Sequence, residues 1–353
     1  MKKRMIRILA LLLVFGNSFL FGCERQPQKY TEYTFEYFDT ITSVTGYVTR
    51  RDDFDRVWNR VKEELNTYHR LYTIYDSYEG VNNLYTVNRL IDGAHREVEV
   101  DPKIMDLLHY GKRMYELTDG QLNIAMGSVL SIWHSYREAG ISNPAEAKLP
   151  SIELLREAAK HTDIERIILN EEAGTVYLSD PEMSLDVGAV AKGYAVEMIA
   201  QMLENEGVTG YVLNVGGNVR TLGARGDGSS FAVGIENPDS GDENGYLAVL
   251  SLRGESLVTS GSYQRYYTVE GMNYHHIIDP TTLMPATGYR SVSVICASSA
   301  DGDALSTALF TLSYEEGLSL LSKIPGAEAL WVLEDGTQCF SEGFGQYLQT
   351  QKS

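Results

Sequence analysis

Along residues 30–48, aromatic or β-branched side chains alternate with polar ones, a period that predicts one or two β-strands around Phe38-Asp-Thr40. The period then changes. Phe54, Val57, Val61, Leu65 and Tyr68 recur at steps of three and four behind the capping residues Asp52 and Asp53, so an amphipathic helix follows. The tyrosine-rich residues 71–78 fit neither period; such a loop either packs or offers an exposed ring to a flat ligand. Asp101-Pro102 opens a second helix with Ile104, Leu108, Gly111 and Tyr115 on its apolar face, ending at Asp119-Gly120. The next stretch, Gln121-Leu-Asn-Ile-Ala-Met-Gly127, has small residues that let a ligand approach the backbone. Trp133 and the polar run to Pro150 read as a surface excursion.

A short helix over 151–161 and a hairpin over 164–178 lead into Ser184-Leu-Asp-Val-Gly-Ala-Val-Ala-Lys-Gly-Tyr194. Here a short apolar strand passes through a glycine turn into a helix beginning near Ala189, with Gly193, Val196, Ala200 and Leu203 in register and Gly207 as the stop. Unpaired N–H groups at a helix start suit a phosphate. Asp186 precedes that start and Lys192 lies one turn inside it. An ordinary strand–helix–strand unit has the same pattern, so spacing alone leaves both readings open. Beyond Gly217 the pattern predicts strands over 231–235, 247–252, 266–269, 275–278 and 291–296. A helix over 301–310 follows, with Leu305, Leu309 and Leu312 inward and Asp303 and Thr307 on one side. Strands and helices interleave irregularly, which predicts an α+β fold rather than a doubly wound sheet.

The first residues stand apart. Lys2, Lys3, Arg4 and Arg7 precede an apolar run over 8–21 that is short for a membrane span and fits an export signal. It ends in Leu20-Phe-Gly-Cys23, which resembles a bacterial lipobox. The expected organisation is a lipoprotein signal peptide over 1–22, a tether over 23–29 carrying lipid on Cys23, and one domain over 30–353. Membrane contact is then through the lipid anchor only, outside the cytoplasmic membrane. The net charge of −18 argues against non-specific nucleic-acid binding. Cys296 and Cys339 give neither a disulfide framework nor zinc spacing.

Three clusters bear on chemistry. Asp186 and Lys192 flank the helix start, and Asp303 and Thr307 offer two hard oxygens one turn apart. In His275-His-Ile-Ile-Asp-Pro280 an imidazole emerges from a strand into a proline turn. Hard oxygens suit Mg²⁺ bridging substrate phosphates, and a neutral histidine suits a hydroxyl nucleophile. Together they describe phosphoryl-group chemistry on a nucleotide. Each alone is also ordinary: an Asp/Thr pair occurs on solvated helix faces, and paired histidines are often structural. P-loop, Rossmann and GxSxG signatures are absent from the sequence.

Five motifs in one order, namely Ser184–Tyr194, Asn214-Val-Gly-Gly-Asn218, Thr259-Ser-Gly261, His276-Ile-Ile-Asp-Pro280 and Asp303-Ala-Leu-Ser-Thr-Ala-Leu309, resemble the FAD:protein FMN transferase (ApbE) family from residue 30 onward. The resemblance implies an α+β fold of mixed or antiparallel sheets with packed helices and a T-fold-like core. It implies an enzyme that moves FMN from FAD onto a Thr or Ser hydroxyl of a target protein, releasing AMP, with Mg²⁺ at the pyrophosphate. By motif, Asp303, Thr307 and the Ala189 carbonyl would hold the metal, and His276 would be the base. FAD contacts would be Phe38, Tyr75, Gln121, Leu122, Asn123, Asp186, Lys192 and Ile277. Implied acceptors are extracytoplasmic flavoproteins of electron-transfer systems; the alternatives are an FAD pyrophosphatase giving FMN and AMP, or a non-catalytic FAD-binding lipoprotein. Departures from the family pattern include Gln121-Leu-Asn123 in place of Ala-Phe-Asp, Phe38 in place of methionine, and Leu283 in place of glycine. On this reading the helix start and its polar flanks, rather than its glycines, carry the site.

Overall fold

The computed structural model describes residues 26–91, 93–238 and 245–349. The expected signal peptide and Cys23 lie outside the described residues, as do residues 239–244. The first half comprises β1 (Gln28–Thr34), β2 (Thr42–Val48), α1 (Arg51–Tyr72), α2 (Leu84–Asn88), β3 (Val98–Glu99), α3 (Pro102–Leu117), α4 (Gly127–Ser142), α5 (Ile152–Ala158), β4 (Ile167–Asn170) and β5 (Thr175–Leu178). The second comprises α6 (Ala191–Asn205), β6 (Tyr211–Val215), β7 (Asn218–Leu222), β8 (Phe231–Glu236), β9 (Tyr246–Leu252), β10 (Ser256–Gly261), β11 (Tyr266–Val269), β12 (Met272–His275), β13 (Tyr289–Cys296), α7 (Ser299–Thr311), α8 (Tyr314–Leu321), β14 (Glu328–Leu333) and β15 (Gln338–Phe340). β1 begins at Gln28, so Gln28 and Lys29 pair with Val48 and Tyr47 instead of extending the expected tether.

Among the described residues the main sheet has eight strands in the order β1-β2-β6-β7-β10-β13-β14-β15, with antiparallel neighbours throughout. Both faces are covered, which the period of two makes visible in β14: Ala329 and Trp331 join the core under α7, while Leu330 and Val332 join the one under β8 and β9. On the helical side α1, α3 and α6 bury Phe54, Leu65, Leu108, Val196 and Ile199 against Leu213 of the sheet. The expected α+β class is the one observed.

Two elements differ from the sequence reading. Of the expected surface excursion from Trp133 to Pro150, residues 133–142 belong instead to helix α4, and Trp133 is buried with its indole N–H donating to the Leu283 carbonyl (2.9 Å). Few of its apolar residues are buried and its first turn lacks a side-chain cap, so its helical signal is weak. The strand expected over 275–278 ends at His275, which frees the following residues to turn into the interior.

Candidate active site

A cavity of about 410 Å³ opens where the starts of α6 and α4, the adjoining parts of β7 and β10, the segment after β12, and α7 meet. The expected residues Tyr75, Gln121, Leu122, Asn123, Asp186, Ala189, Lys192, His276, Ile277, Asp303 and Thr307 all line it. Phe38 does not. Its N–H donates to His69 Nδ1 (3.2 Å) and its ring sits edge-on to that imidazole, while the neighbouring Asp39 and Thr40 reach the cavity instead. Phe38 and Asp39 both hold positive φ (55° and 49°), so this rim turn is strained for side-chain-bearing residues.

The oxygen-rich corner is made by two helices crossing at a glycine. A Cβ at Gly193 of α6 would overlap the Cβ of Asp303 and the Ser299 carbonyl oxygen, both on α7. This contact corrects the view that the glycines are secondary. Because the backbones approach so closely, the Gly193 N–H donates to Asp303 Oδ2 (2.8 Å). In a continuous helix that N–H would bond the Ala189 carbonyl; among the described residues no turn or loop backbone hydrogen bond reaches that oxygen. Thr307 Oγ1 donates to the Asp303 carbonyl (3.2 Å) and lies 3.5 Å from Ser260 Oγ, which leaves it a lone pair to offer, and Lys192 Nζ lies 3.9 Å from Asp303 Oδ2. Burial raises the pKa of Asp303, opposed by Lys192, the Gly193 N–H and the Asn218 amide.

This donor set fits a hard divalent cation: a buried carboxylate, a hydroxyl with a lone pair to offer, and a backbone carbonyl just ahead of α6. Among the described residues no group of three or more His, Cys, Asp or Glu side chains is placed to hold a metal. A cation here has few protein ligands, which suits Mg²⁺, since it keeps waters and takes substrate phosphate oxygens.

The two histidines have separate roles. His275 is buried, with Nε2 donating to the Ala286 carbonyl (2.8 Å) and Nδ1 accepting from the Ile277 N–H (3.2 Å), so its ring braces the turn. His276 faces the cavity. Its Nδ1 lies 3.3 Å from the Arg265 carbonyl, which accepts a proton held on Nδ1 and leaves Nε2 as the free base. Desolvation, then the charge of Arg265, His275, Lys192 and Arg137, lowers its pKa to about 3, so the imidazole stays neutral at physiological pH.

At the other wall Tyr75 is more than half exposed, its ring 5.1 Å from that of His134. His134 Nδ1 accepts from Arg137 Nη2 (2.9 Å). Asp186 Oδ1 accepts from the Gly188 N–H (2.8 Å), and burial raises its pKa against that bond and the nearby His134 and Arg137. Backbone bonds from Asp186 to Ile124 (2.9 Å) and from Gly127 to Ser184 (3.0 Å) join the two ligand-facing loops. Asn123 has its side chain committed internally, accepting from the Ala125 N–H (2.8 Å) and donating to the Thr162 carbonyl (2.9 Å), so it shapes the loop. Gln121 Oε1 likewise accepts from Thr311 Oγ1 (2.9 Å). Sequence reasoning misses Trp133, His134, Arg137 and Arg265 as cavity residues. The i,i+3 spacing of His134 and Arg137 is the available signal once α4 is recognised as a helix.

The ApbE family model matches residues 37–331. The FAD:protein FMN transferase of Treponema pallidum (strain Nichols) is 35% identical over 253 residues, covering 67% of each chain. That of Klebsiella pneumoniae (strain 342) is 30% identical over 276 residues, covering 75% of this chain and 82% of the relative. The crystal structure of the ApbE protein from Thermotoga maritima MSB8 superimposes with a TM-score of 0.78 at 27% identity, over 92% of this chain and all of the other.

Proposed function

The chain belongs to the ApbE family, and we propose that its cavity performs the reaction of the FAD:protein FMN transferases it matches, with a divalent cation, Mg²⁺, at the oxygen-rich corner. FMN moves from FAD to a Ser or Thr hydroxyl of a target protein and AMP leaves. What carries the reading is the pairing, across one cavity, of the neutral base His276 with the buried Asp303 carboxylate and the half-buried Thr307 and Ala189 oxygens.

His276 Nε2 takes the proton of the acceptor hydroxyl. The oxygen attacks the FMN-side phosphorus, the pyrophosphate P–O bond breaks, and its electron pair leaves on AMP. Mg²⁺, when bound, supplies electrostatic stabilisation of charge developing on the pyrophosphate oxygens. Lys192 adds a positive charge on the same side, and the N–H groups at the start of α6 add a fixed dipole. Tyr75 and His134 offer a wall of rings against which a flat heterocycle stacks.

The acceptors we assign are extracytoplasmic flavoproteins of electron-transfer systems, a reading supported by the lipobox-like Leu20-Phe-Gly-Cys23, whose pattern suits export and lipid on Cys23. Purified protein incubated with FAD, Mg²⁺ and an acceptor should give a covalent FMN mass shift on the acceptor. AMP and FMN without an adduct would make it a pyrophosphatase, and intact bound FAD under all conditions would make it a binding protein. Lipidation is tested by the mass of the mature N-terminal peptide and by its change in a Cys23→Ser variant.

A further inference from the structure

Asn218 opens β7 in the middle of the main sheet, paired with Val215 of β6 and Val258 of β10. Gly216 and Gly217, both at positive φ (56° and 89°), form the turn before it, and the Gly217 N–H donates to Asn214 Oδ1 (3.0 Å). The Thr40 side chain lies over Gly216 where a Cβ would stand. Asn218 is therefore held rigidly, it lines the cavity, and it is only 2% exposed.

Its two amide ends are used unequally. The side chain lies beside Asp303 and lowers its pKa, and because a carboxylate only accepts, the end that faces it is the NH₂ group. Turning the amide would set Oδ1 against the carboxylate, so its orientation is determined by its neighbour. Oδ1 then has no partner. Other described side chains also carry an orphaned buried atom, but among them Asn218 alone lines the cavity.

A buried acceptor without a donor is destabilising, so the ligand that completes it matters. Pyrophosphate oxygens are themselves acceptors and do not satisfy it. A cation does, and so does a water in its shell, and an amide oxygen is a hard ligand of the kind Mg²⁺ takes. We propose that Asn218 Oδ1 is a further oxygen donor to the cation at Asp303, directly or through one of its waters, while Nδ2 holds the Asp303 carboxylate in place. The inference rests on the reading that a divalent cation binds at Asp303.

The test is Mn²⁺ binding to the full chain, followed by the EPR signal of free Mn²⁺ and by the metal-induced rise in melting temperature. Both are measured with metal alone and with ADP as a pyrophosphate probe. Wild type should bind and Asp303→Asn should not. Asn218→Ala should weaken Mn²⁺ about 10–100-fold, as supporting oxygens of metal sites do when removed. Asn218→Asp, which restores an oxygen, should recover binding. Without metal, Asn218→Ala should melt no lower than Asn218→Asp, because the orphaned acceptor is gone; only its metal-induced rise should shrink. Equal Mn²⁺ affinity in wild type and Asn218→Ala overturns the proposal, and weakened ADP affinity with unchanged Mn²⁺ affinity assigns Asn218 to the nucleotide instead. If wild type takes up no Mn²⁺ with ADP present, the cation reading fails first and this inference with it.

Discussion

Replacing Gly193 with alanine sets two effects of opposite sign against each other. Helix propensity alone favours alanine by up to about 1 kcal/mol in the interior of α6. Packing opposes it, because the new Cβ would overlap the Asp303 Cβ and the Ser299 carbonyl, and neither swings aside as a flexible side-chain end does. Restoring an ordinary contact of 3.4–4 Å requires α6 and α7 to part by roughly 1 Å, and overpacking of this kind costs about 1–3 kcal/mol. With the overlap against fixed atoms, the net result is a loss of about 1–2 kcal/mol. At about 2.1 cal/mol/K per residue over roughly 320 residues, that lowers the melting temperature by about 1.5–3 °C. The catalytic effect is larger than the thermal one. Gly193 N–H and Asp303 Oδ2 separate, and a 1 Å misplacement in a reacting geometry costs about 100-fold in rate. Calorimetry of the ligand-free protein and FMN transfer under saturating FAD and varied Mg²⁺ measure the two effects separately. Unchanged or raised melting temperature with wild-type turnover would refute the close-packing argument. A lowered melting temperature with wild-type turnover would mean that the crossing stabilises the fold without setting the site.

His276→Gln should lower transfer about 100-fold or more while FAD affinity, read by flavin fluorescence, changes little; equal losses in both would assign His276 to binding. In the free enzyme the His276 ring should titrate far below 6.5 in histidine NMR spectra, because desolvation and neighbouring positive charge favour its neutral form. Its folded pKa lies below its unfolded one, so the stability it contributes is complete above about pH 6.5 and is lost as pH falls towards 3, a slope that His276→Gln should reduce. Arg220 is buried between Glu197 and Glu204 and also donates to the Gly254 carbonyl, so Arg220→Ala leaves Glu197 buried without its cation. It should cost about 3–5 kcal/mol, or about 4–7 °C in melting temperature; a shift under 1 °C would show that the pair contributes nothing net.

How legible each part is in the sequence follows from what its surroundings demand. α1 and α3 present one apolar face to the core and the other to solvent, so the spacing of Phe54 to Tyr68 and of Ile104 to Tyr115 declares them. α7 is different. Ser299, Ala300, Asp303, Ala304, Leu305 and Ser306 are all buried, so no polar face marks which residues meet the cavity. Spacing places Asp303 and Thr307 on one side but does not separate a solvated face from a buried ligand pair. That distinction is carried by Gly193, over a hundred positions earlier, whose missing side chain admits Asp303 to the α6 backbone. Leu283 makes the same point from the opposite direction: it holds φ 61° in the turn after Asp279, a conformation that glycine adopts without strain. It stays there because its side chain is buried against α4 and its carbonyl accepts the Trp133 indole, and those contacts offset the strain. The residues that the family resemblance assigns, by contrast, nearly all line the cavity, since it collects residues by their meeting in space rather than by local period, although it leaves out Trp133, His134, Arg137 and Arg265. Phe38 is the exception, and the structure gives the reason: its strained backbone is fixed by His69, a residue of α1 outside every motif, so the position faces away although Asp39 and Thr40 beside it line the cavity.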